Sequence, residues 1–434
     1  MQVDLRIDAR WVVPIEPAGF LPLHSVLVRA GRIAAVLPTT QVPPECAARE
    51  HVRLPRQVLM PGLVNAHAHA AMNLFRGIAD DTPLQAWLEQ HIWPREGVHV
   101  SPSFVHEGTL LAAAEMLRGG ITCCNDMYFH PDEGARAFDA AGMRAMVGMP
   151  VLEFPTPYAS DADAYLRLGL EARDRWRDHA RLRFALAPHA PYTVSDATFQ
   201  RIVVFADQLD IPIHTHVHET AGEIEQSLRA FGERPLQRLS RLGVAGPNLI
   251  AVHTVHLGER DIHLLANAHA SAVHCPSSNL KLASGIAPVA ALLGSDVNVA
   301  LGTDGAASNN RLDLFEEMRL AALLAKAQSG DAAELPAQQA LRMATLNGAQ
   351  ALGWAEEIGS LVAGKRADLV AVDLSSPDAL PCYDPCSHLV YVASRRDVTH
   401  VWVDGELRVR DGILAGLDVA ELAAMAHRWQ ERIG

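Results

Sequence analysis

The texture of the hydrophobic positions changes twice along the chain. Up to about Arg56 the chain has short β-type runs, Val3–Ile7, Ser25–Arg29 and Arg32–Val36, the first of which alternates apolar and charged residues. Alternation by twos places every second side chain on one face, as in a half-buried strand. Gly31 separates the last two runs as a hairpin turn does. The far end has the same texture. Ala367–Asp373, Val398–Val403 and Glu406–Arg410 read as strands, with Asp404-Gly405 as a hairpin turn between the last two. Val419–Ile433 then has amphipathic helical spacing.

Between these ends the runs become solidly apolar. They are Leu59–Asn65, Ile121–Asp126, Arg144–Val151, Arg183–Ala187, Ile211–His216, Leu249–His253, Ala272–His274 and Val297–Leu301. Helical stretches are interleaved, among them Phe104–Arg118, Asp196–Gln208, Gly222–Phe231 and Leu312–Ala327. Strand–helix alternation points to an α/β fold with a parallel sheet, and eight such units point to a (β/α)8 barrel. The expected division is a barrel over residues 58–365. Residues 1–57 and 366–434 pair as a small second β domain, the latter with its terminal helix.

Composition narrows the partners. The chain has 434 residues, 49% hydrophobic and 20% charged, which is ample for a large core. Its formal net charge is -13, and no basic stripe interrupts it. That speaks against nucleic acid and against an anionic membrane, but not against a small ligand. The six cysteines form no CxxC pair and no disulfide framework. Met1–Arg10 lacks the apolar core of a signal peptide, and no run nears the roughly 18 apolar residues of a membrane span. The expectation is a cytoplasmic protein; a homo-oligomer is compatible with the sequence.

The candidate chemistry lies at the ends of the apolar runs, where a barrel places its active site. His67-Ala68-His69 follows the first run, and residues two apart on a strand share a face. Such a pair alone fits a metal site and two unrelated histidines about equally. His214, His216 and His218 alternate in the fifth unit. A metal takes three or four ligands, so not all of these five histidines can serve. His214 and His218 read as buried polar partners. His253 ends another run, and Asp304 sits in Gly302-Thr303-Asp304-Gly305, where an isolated Asp is ordinarily a turn residue. Chance is a poor account of several strand ends each offering His or Asp.

PGLVNAHAH, the His216–Glu219 HxxE, the His253 strand, HCPSSNLKLASGIAP (274–288) and GTDGAASNN (302–310) together resemble the amidohydrolase superfamily. More closely they resemble its 5′-methylthioadenosine/S-adenosylhomocysteine deaminase family, over the whole chain. The resemblance implies a distorted (β/α)8 (TIM) barrel with a small β-sandwich built from both termini. It implies His67, His69, His216 and Asp304 as metal ligands, Glu219 as the acid at the purine N1, and His253 beside the attacking water. Trp87 and Glu96, in WLEQHIWPRE, match the substrate loop, with Glu96 on the ribose hydroxyls. His189, in APHAPY, matches a nucleoside contact. Outside that context, Glu96 and His189 would read as an ordinary surface charge and a loop histidine.

Many members of the superfamily bridge two metals with a carboxylated lysine. This chain has only Lys281, Lys326 and Lys365, none on a run before His216. One zinc ion per chain is therefore expected, with iron as the substitute. The implied reaction is hydrolytic deamination of an adenine nucleoside, a small molecule, with Glu219, His253 and Asp304 as the catalytic groups. S-adenosylhomocysteine and adenosine are the nearest alternative substrates. Guanine, cytosine or pterin deamination and chlorohydrolysis share the metal residues but have no ribose for Glu96. An inactive metal-binding scaffold is the remote alternative. The stretch Val151–Tyr165 has no Lys or Arg for a substrate carboxylate, which favours 5′-methylthioadenosine unless Arg144 or Arg167 reaches in.

Overall fold

In the computed structural model, which describes residues 2–434, the chain opens with β1 (Gln2–Val12), β2 (Leu21–Arg29), β3 (Arg32–Pro38) and β4 (Ala47–Pro61). The apolar run Leu59–Asn65, read above as one strand, is two. Leu59–Pro61 finishes β4, and β5 (Leu63–Ala68) starts a different sheet. Gly62 makes the break possible. A Cβ there would lie 2.1 Å from Thr122 Oγ1, so only glycine lets the two layers meet this closely.

The barrel continues through β6 (Ile121–Met127), β7 (Arg144–Val151), β8 (Leu182–Pro188), β9 (Ile213–Val217), β10 (Leu249–His253), β11 (Ser271–His274) and β12 (Asn298–Leu301). Among the described residues these eight form one sheet in the order β5 to β12, all parallel. Nearly every strand residue is buried on both faces, which is why the sequence shows solid apolar runs here rather than alternation. Asp304 N–H donates to the His67 carbonyl at 3.0 Å and joins the segment after β12 to β5. The seam between β8 and β9 is thin, with a single paired position, Leu186 and Ile213.

The remaining strands are β13 (Leu369–Asp373), β14 (Val398–Val403), β15 (Glu406–Arg410) and β16 (Ile413–Leu414). They run on from β4 into a continuous mixed sheet, β16-β15-β14-β13-β4-β1-β2-β3. The two chain ends meet where Leu59 of β4 faces Ala371 of β13. The inner face buries Leu5, Ile7, Val26, Leu369 and Trp402. Barrel and sheet are stitched by Arg144, whose Nε donates to Asp368 Oδ2 at 2.9 Å and whose Nη2 donates to Asp404 Oδ1 at 2.7 Å. The helix Val419–Ile433 lays Trp429 against Phe104 of the first barrel helix. No helix among the described residues is long and apolar enough to cross a membrane.

Candidate active site

At the C-terminal ends of the barrel strands the backbone itself is unusual. His218, His253 and Asp304 have φ of 57°, 72° and 61°, the left-handed region that side chains with a Cβ avoid. Such strain persists where surrounding contacts over-determine it, and it clusters at functional sites. The three lie at or just beyond the ends of β9, β10 and β12, and His253 and Asp304 line the mouth.

His67 Nε2 lies 3.2 Å and His69 Nε2 3.3 Å from Asp304 Oδ1. His216 Nε2 lies 3.3 Å from His69 Nε2. The outer nitrogens explain which lone pairs point inward. His69 Nδ1–H donates to the Met127 carbonyl at 2.6 Å, and His216 Nδ1–H donates to the His189 carbonyl at 2.6 Å. A neutral imidazole that donates from Nδ1 has its lone pair on Nε2. Two such lone pairs therefore face each other beside a carboxylate, an arrangement that repels itself until a cation enters. His67 contributes a third, its Nε2 wholly buried and without a hydrogen-bond partner, while its Nδ1 meets His214 Nε2 at 2.9 Å. The set His67, His69, Asp304 could hold a metal ion, and His216 and His253 close on His67 in a second overlapping set. Burial pushes His67 down to about 4, so its ring is neutral at physiological pH, as a ligand must be.

His214 and His218 are buried polar partners, as expected. His214 supports His67, and His218 Nδ1 donates to the His256 carbonyl at 2.9 Å. The three lysines are spent elsewhere. Lys281 bonds Asp80, Lys326 bonds loop carbonyls and Lys365 bonds Ser360.

A cavity of about 350 Å3 opens over the histidines. His69, His216, Asp304, Glu219, His253, His189, Trp87 and Glu96 all line it; His67 lies beneath, fully buried. Glu219 is carried just beyond β9, with its Oε2 3.7 Å from His253 Nε2. Burial, helped by the nearby Asp304 charge, raises its carboxyl to about 8. Burial also raises Glu96 to about 7, against the Tyr128 hydroxyl that donates to its Oε1 at 2.7 Å. Trp93 and Phe154 meet edge to face at the rim. Among the described residues, no lysine or arginine lines this cavity. Arg144 lies at the opposite end of the barrel, bound to Asp368, and Arg167 pairs with Glu171 on the exposed face of the helix Ala162–Trp176.

Several supports could not be read from the sequence. Asp304 Oδ2 accepts hydrogen bonds from Ser278 Oγ at 2.6 Å and Ser308 Oγ at 3.0 Å. Oδ1, which also accepts from Gly305 N at 2.8 Å, is the oxygen that faces the histidines. His253 Nδ1 donates to Asn279 Oδ1 at 2.9 Å, which turns the Nε2 lone pair toward the cavity. Ser278, Asn279 and Ser308 lie inside the two long motifs quoted above, so the blocks were visible while the individual roles were not. Tyr128 had no such signal.

Residues 58–408 match the family model described as "Amidohydrolase family". A protein from Teredinibacter turnerae named "5-methylthioadenosine/S-adenosylhomocysteine deaminase" is 48% identical over 433 residues, 100% of this chain and 98% of the relative. A "5'-deoxyadenosine deaminase" from Methanothermobacter thermautotrophicus is 44% identical, covering 94% of this chain and 95% of its own. A crystal structure described as an adenosine deaminase from Xanthomonas campestris with bound zinc superposes with a TM-score of 0.98 at 51% identity, over 100% of this chain and 99% of that one. The match runs through the barrel and well into the second sheet, and the relatives agree with it over nearly their full lengths. On those grounds this chain belongs to the amidohydrolase family.

Proposed function

We propose that this protein hydrolyses the 6-amino group of adenine nucleosides, converting 5′-methylthioadenosine and water to 5′-methylthioinosine and ammonia. The observation that carries this reading is one cavity in which a neutral-range carboxyl, Glu219, faces a converging set of imidazole lone pairs. The barrel, residues 58–365, is the catalytic unit in this reading, and residues 1–57 and 366–434 are its accessory domain.

His67, His69, His216 and Asp304 are assigned as the ligands of one zinc ion, with iron as the substitute. The absence of a suitably placed lysine supports one metal rather than a bridged pair. A zinc ion bound there supplies Lewis-acid activation of water near neutral pH. The chain's own groups do the rest. Asp304 and His253 take the proton as water adds to C6, His253 through the Nε2 that Asn279 leaves free. Glu219, protonated below about pH 8, delivers a proton to N1 as ring electrons move there. C6 becomes tetrahedral; Asp304 and His253 pass the water proton on to the amino nitrogen, the C–N bond breaks, ammonia departs, and the C6 hydroxyl proton released as the carbonyl forms restores Glu219. Glu96 is assigned to the ribose hydroxyls, with one oxygen tied to Tyr128 and the other free. His189 and Trp87 complete the nucleoside contacts.

The absence of cations around the cavity supports the substrate ranking. A carboxylate tail buried there would have no partner, and an unpaired buried charge is costly. A methylthio group suits Trp93 and Phe154, because sulfur packs well on aromatic rings. Ammonia release from the zinc-loaded protein, measured as kcat/KM, tests this. We expect 5′-methylthioadenosine first, adenosine next and S-adenosylhomocysteine clearly last. S-adenosylhomocysteine equal to or above 5′-methylthioadenosine overturns the ranking. Turnover of guanine or cytosine without any nucleoside turnover overturns the reaction.

A further inference from the structure

Between β9 and the helix Ala221–Phe231 the chain turns through His218, Glu219 and Thr220. The turn needs His218 in the left-handed region, and two backbone N–H groups are left pointing into the protein rather than into a helix or sheet. Glu223 meets both. Its Oε1 accepts from His218 N at 3.0 Å, and its Oε2 accepts from Glu219 N at 2.8 Å. Thr220 Oγ1 in turn accepts from Glu223 N at 3.3 Å.

This departs from the usual arrangement at a helix start. There the acid at the third helical position bonds the N–H of the capping residue itself. Here the carboxylate passes Thr220 and clamps the two residues before it. The ring of His218 fixes the other side of the turn, with Nδ1 on the His256 carbonyl and Nε2 accepting from Leu236 N at 3.0 Å. Glu223 is 5% exposed and does not line the cavity assigned to substrate. It faces a separate cavity beside Tyr192 and Arg238. It reaches the reaction through the backbone it holds and, through space, by its charge on Glu219 and His253.

Resting on the reading of Glu219 as the N1 acid, we propose that Glu223 is its positioning residue: the bidentate clamp on the His218 and Glu219 amides sets the direction in which the Glu219 carboxyl enters the cavity. Displacing a catalytic group by about 1 Å costs up to about 10²-fold in rate. A clamp needed only for folding would leave the rate of folded protein unchanged.

The test compares Glu223→Ala, Glu223→Gln, Glu219→Gln and the double variant Glu219→Gln/Glu223→Ala. Each is the metal-loaded full chain, assayed with 5′-methylthioadenosine below its melting temperature. We expect Glu223→Ala to lower kcat about 10–100-fold with KM and metal content unchanged. Glu223→Gln, which keeps one acceptor, falls between it and the parent. The double variant loses no more than Glu219→Gln alone, because the clamp has nothing left to position. An unchanged kcat in Glu223→Ala, a loss confined to KM, or losses that multiply in the double variant overturn the proposal. If Glu223→Ala does not fold, Glu223→Gln and its double with Glu219→Gln decide the matter by the same criteria. Full turnover by Glu219→Gln instead overturns the reading of Glu219, and is recognised by that single variant alone.

Discussion

Arg144 and His67 are both fully buried, at opposite ends of the same barrel, and the protein treats them differently. At the N-terminal end the Arg144 guanidinium meets Asp368 through two hydrogen bonds and Asp404 through a third. Asp368 Oδ1 also accepts from Asp404 N at 2.8 Å. Charge is neutralised there by the chain itself, and two domains are joined in the process. At the C-terminal end, imidazole lone pairs converge on one carboxylate with no cation from the chain. Burial at the floor serves stability, whereas burial at the mouth stores an electrostatic demand that a ligand meets.

The sharpest way to break this contrast is at Glu219. Glu219→Gln should lower kcat by about 10²–10⁴-fold while leaving melting temperature and metal content unchanged. A loss of stability in place of the loss of rate would make the mouth a structural region like the floor. The converse belongs to Arg144. Arg144→Met strands Asp368, while Asp404 keeps Arg366, and removing one partner of a buried ion pair costs about 3–5 kcal/mol. Urea unfolding should show that loss, and kcat per folded molecule should stay at the parent value. A slowed but fully stable variant would show that the floor also serves catalysis.

Two smaller effects sharpen the picture within the mouth. Glu96→Ala should reduce kcat/KM for adenosine about 10–150-fold and for free adenine little, since a charge-assisted hydrogen bond contributes roughly 1.5–3 kcal/mol. Equal losses on both would remove Glu96 from the ribose. The last is the pH profile. Burial raises Glu219 to about 8, and in the proposed reaction the protonated form is the active one. Turnover is therefore retained below that pH and falls above it, by about tenfold per unit. The decline should vanish from the residual activity of Glu219→Gln. An identical alkaline limb in that variant would assign the titration to another group.

The barrel was legible because parallel strands buried on both faces are written as solid apolar runs. Arg144–Val151 and Leu249–His253 have the same limits in sequence and structure. The terminal sheet was legible from its short β-type runs and from the turn signals Gly31 and Asp404-Gly405. Leu59–Asn65 misled because apolarity continues across Gly62, while the break comes from Thr122, a residue distant in sequence that blocks any Cβ. At the mouth the imidazoles and Asp304 could be read because metal chemistry restricts which residue types serve. What fixes their orientation could not. The carbonyls of Met127 and His189 belong to the backbone and leave no mark on the sequence. Glu223 looked like any acid in the first turn of a helix.

The pairing of β4 with β13 also sets a schedule for making the protein. β4 has β1 on one side from early in synthesis, but its other edge waits for residues 369–373. At about 5–20 residues per second, a ribosome needs roughly 15–60 s to translate the intervening stretch. Throughout that time the apolar residues Val58, Leu59 and Met60 sit beside an open strand edge, the kind of template on which nascent chains stick to one another. The accessory sheet is thus the last part of the protein to close, and the time before its closure is when the growing chain most needs shielding by chaperones.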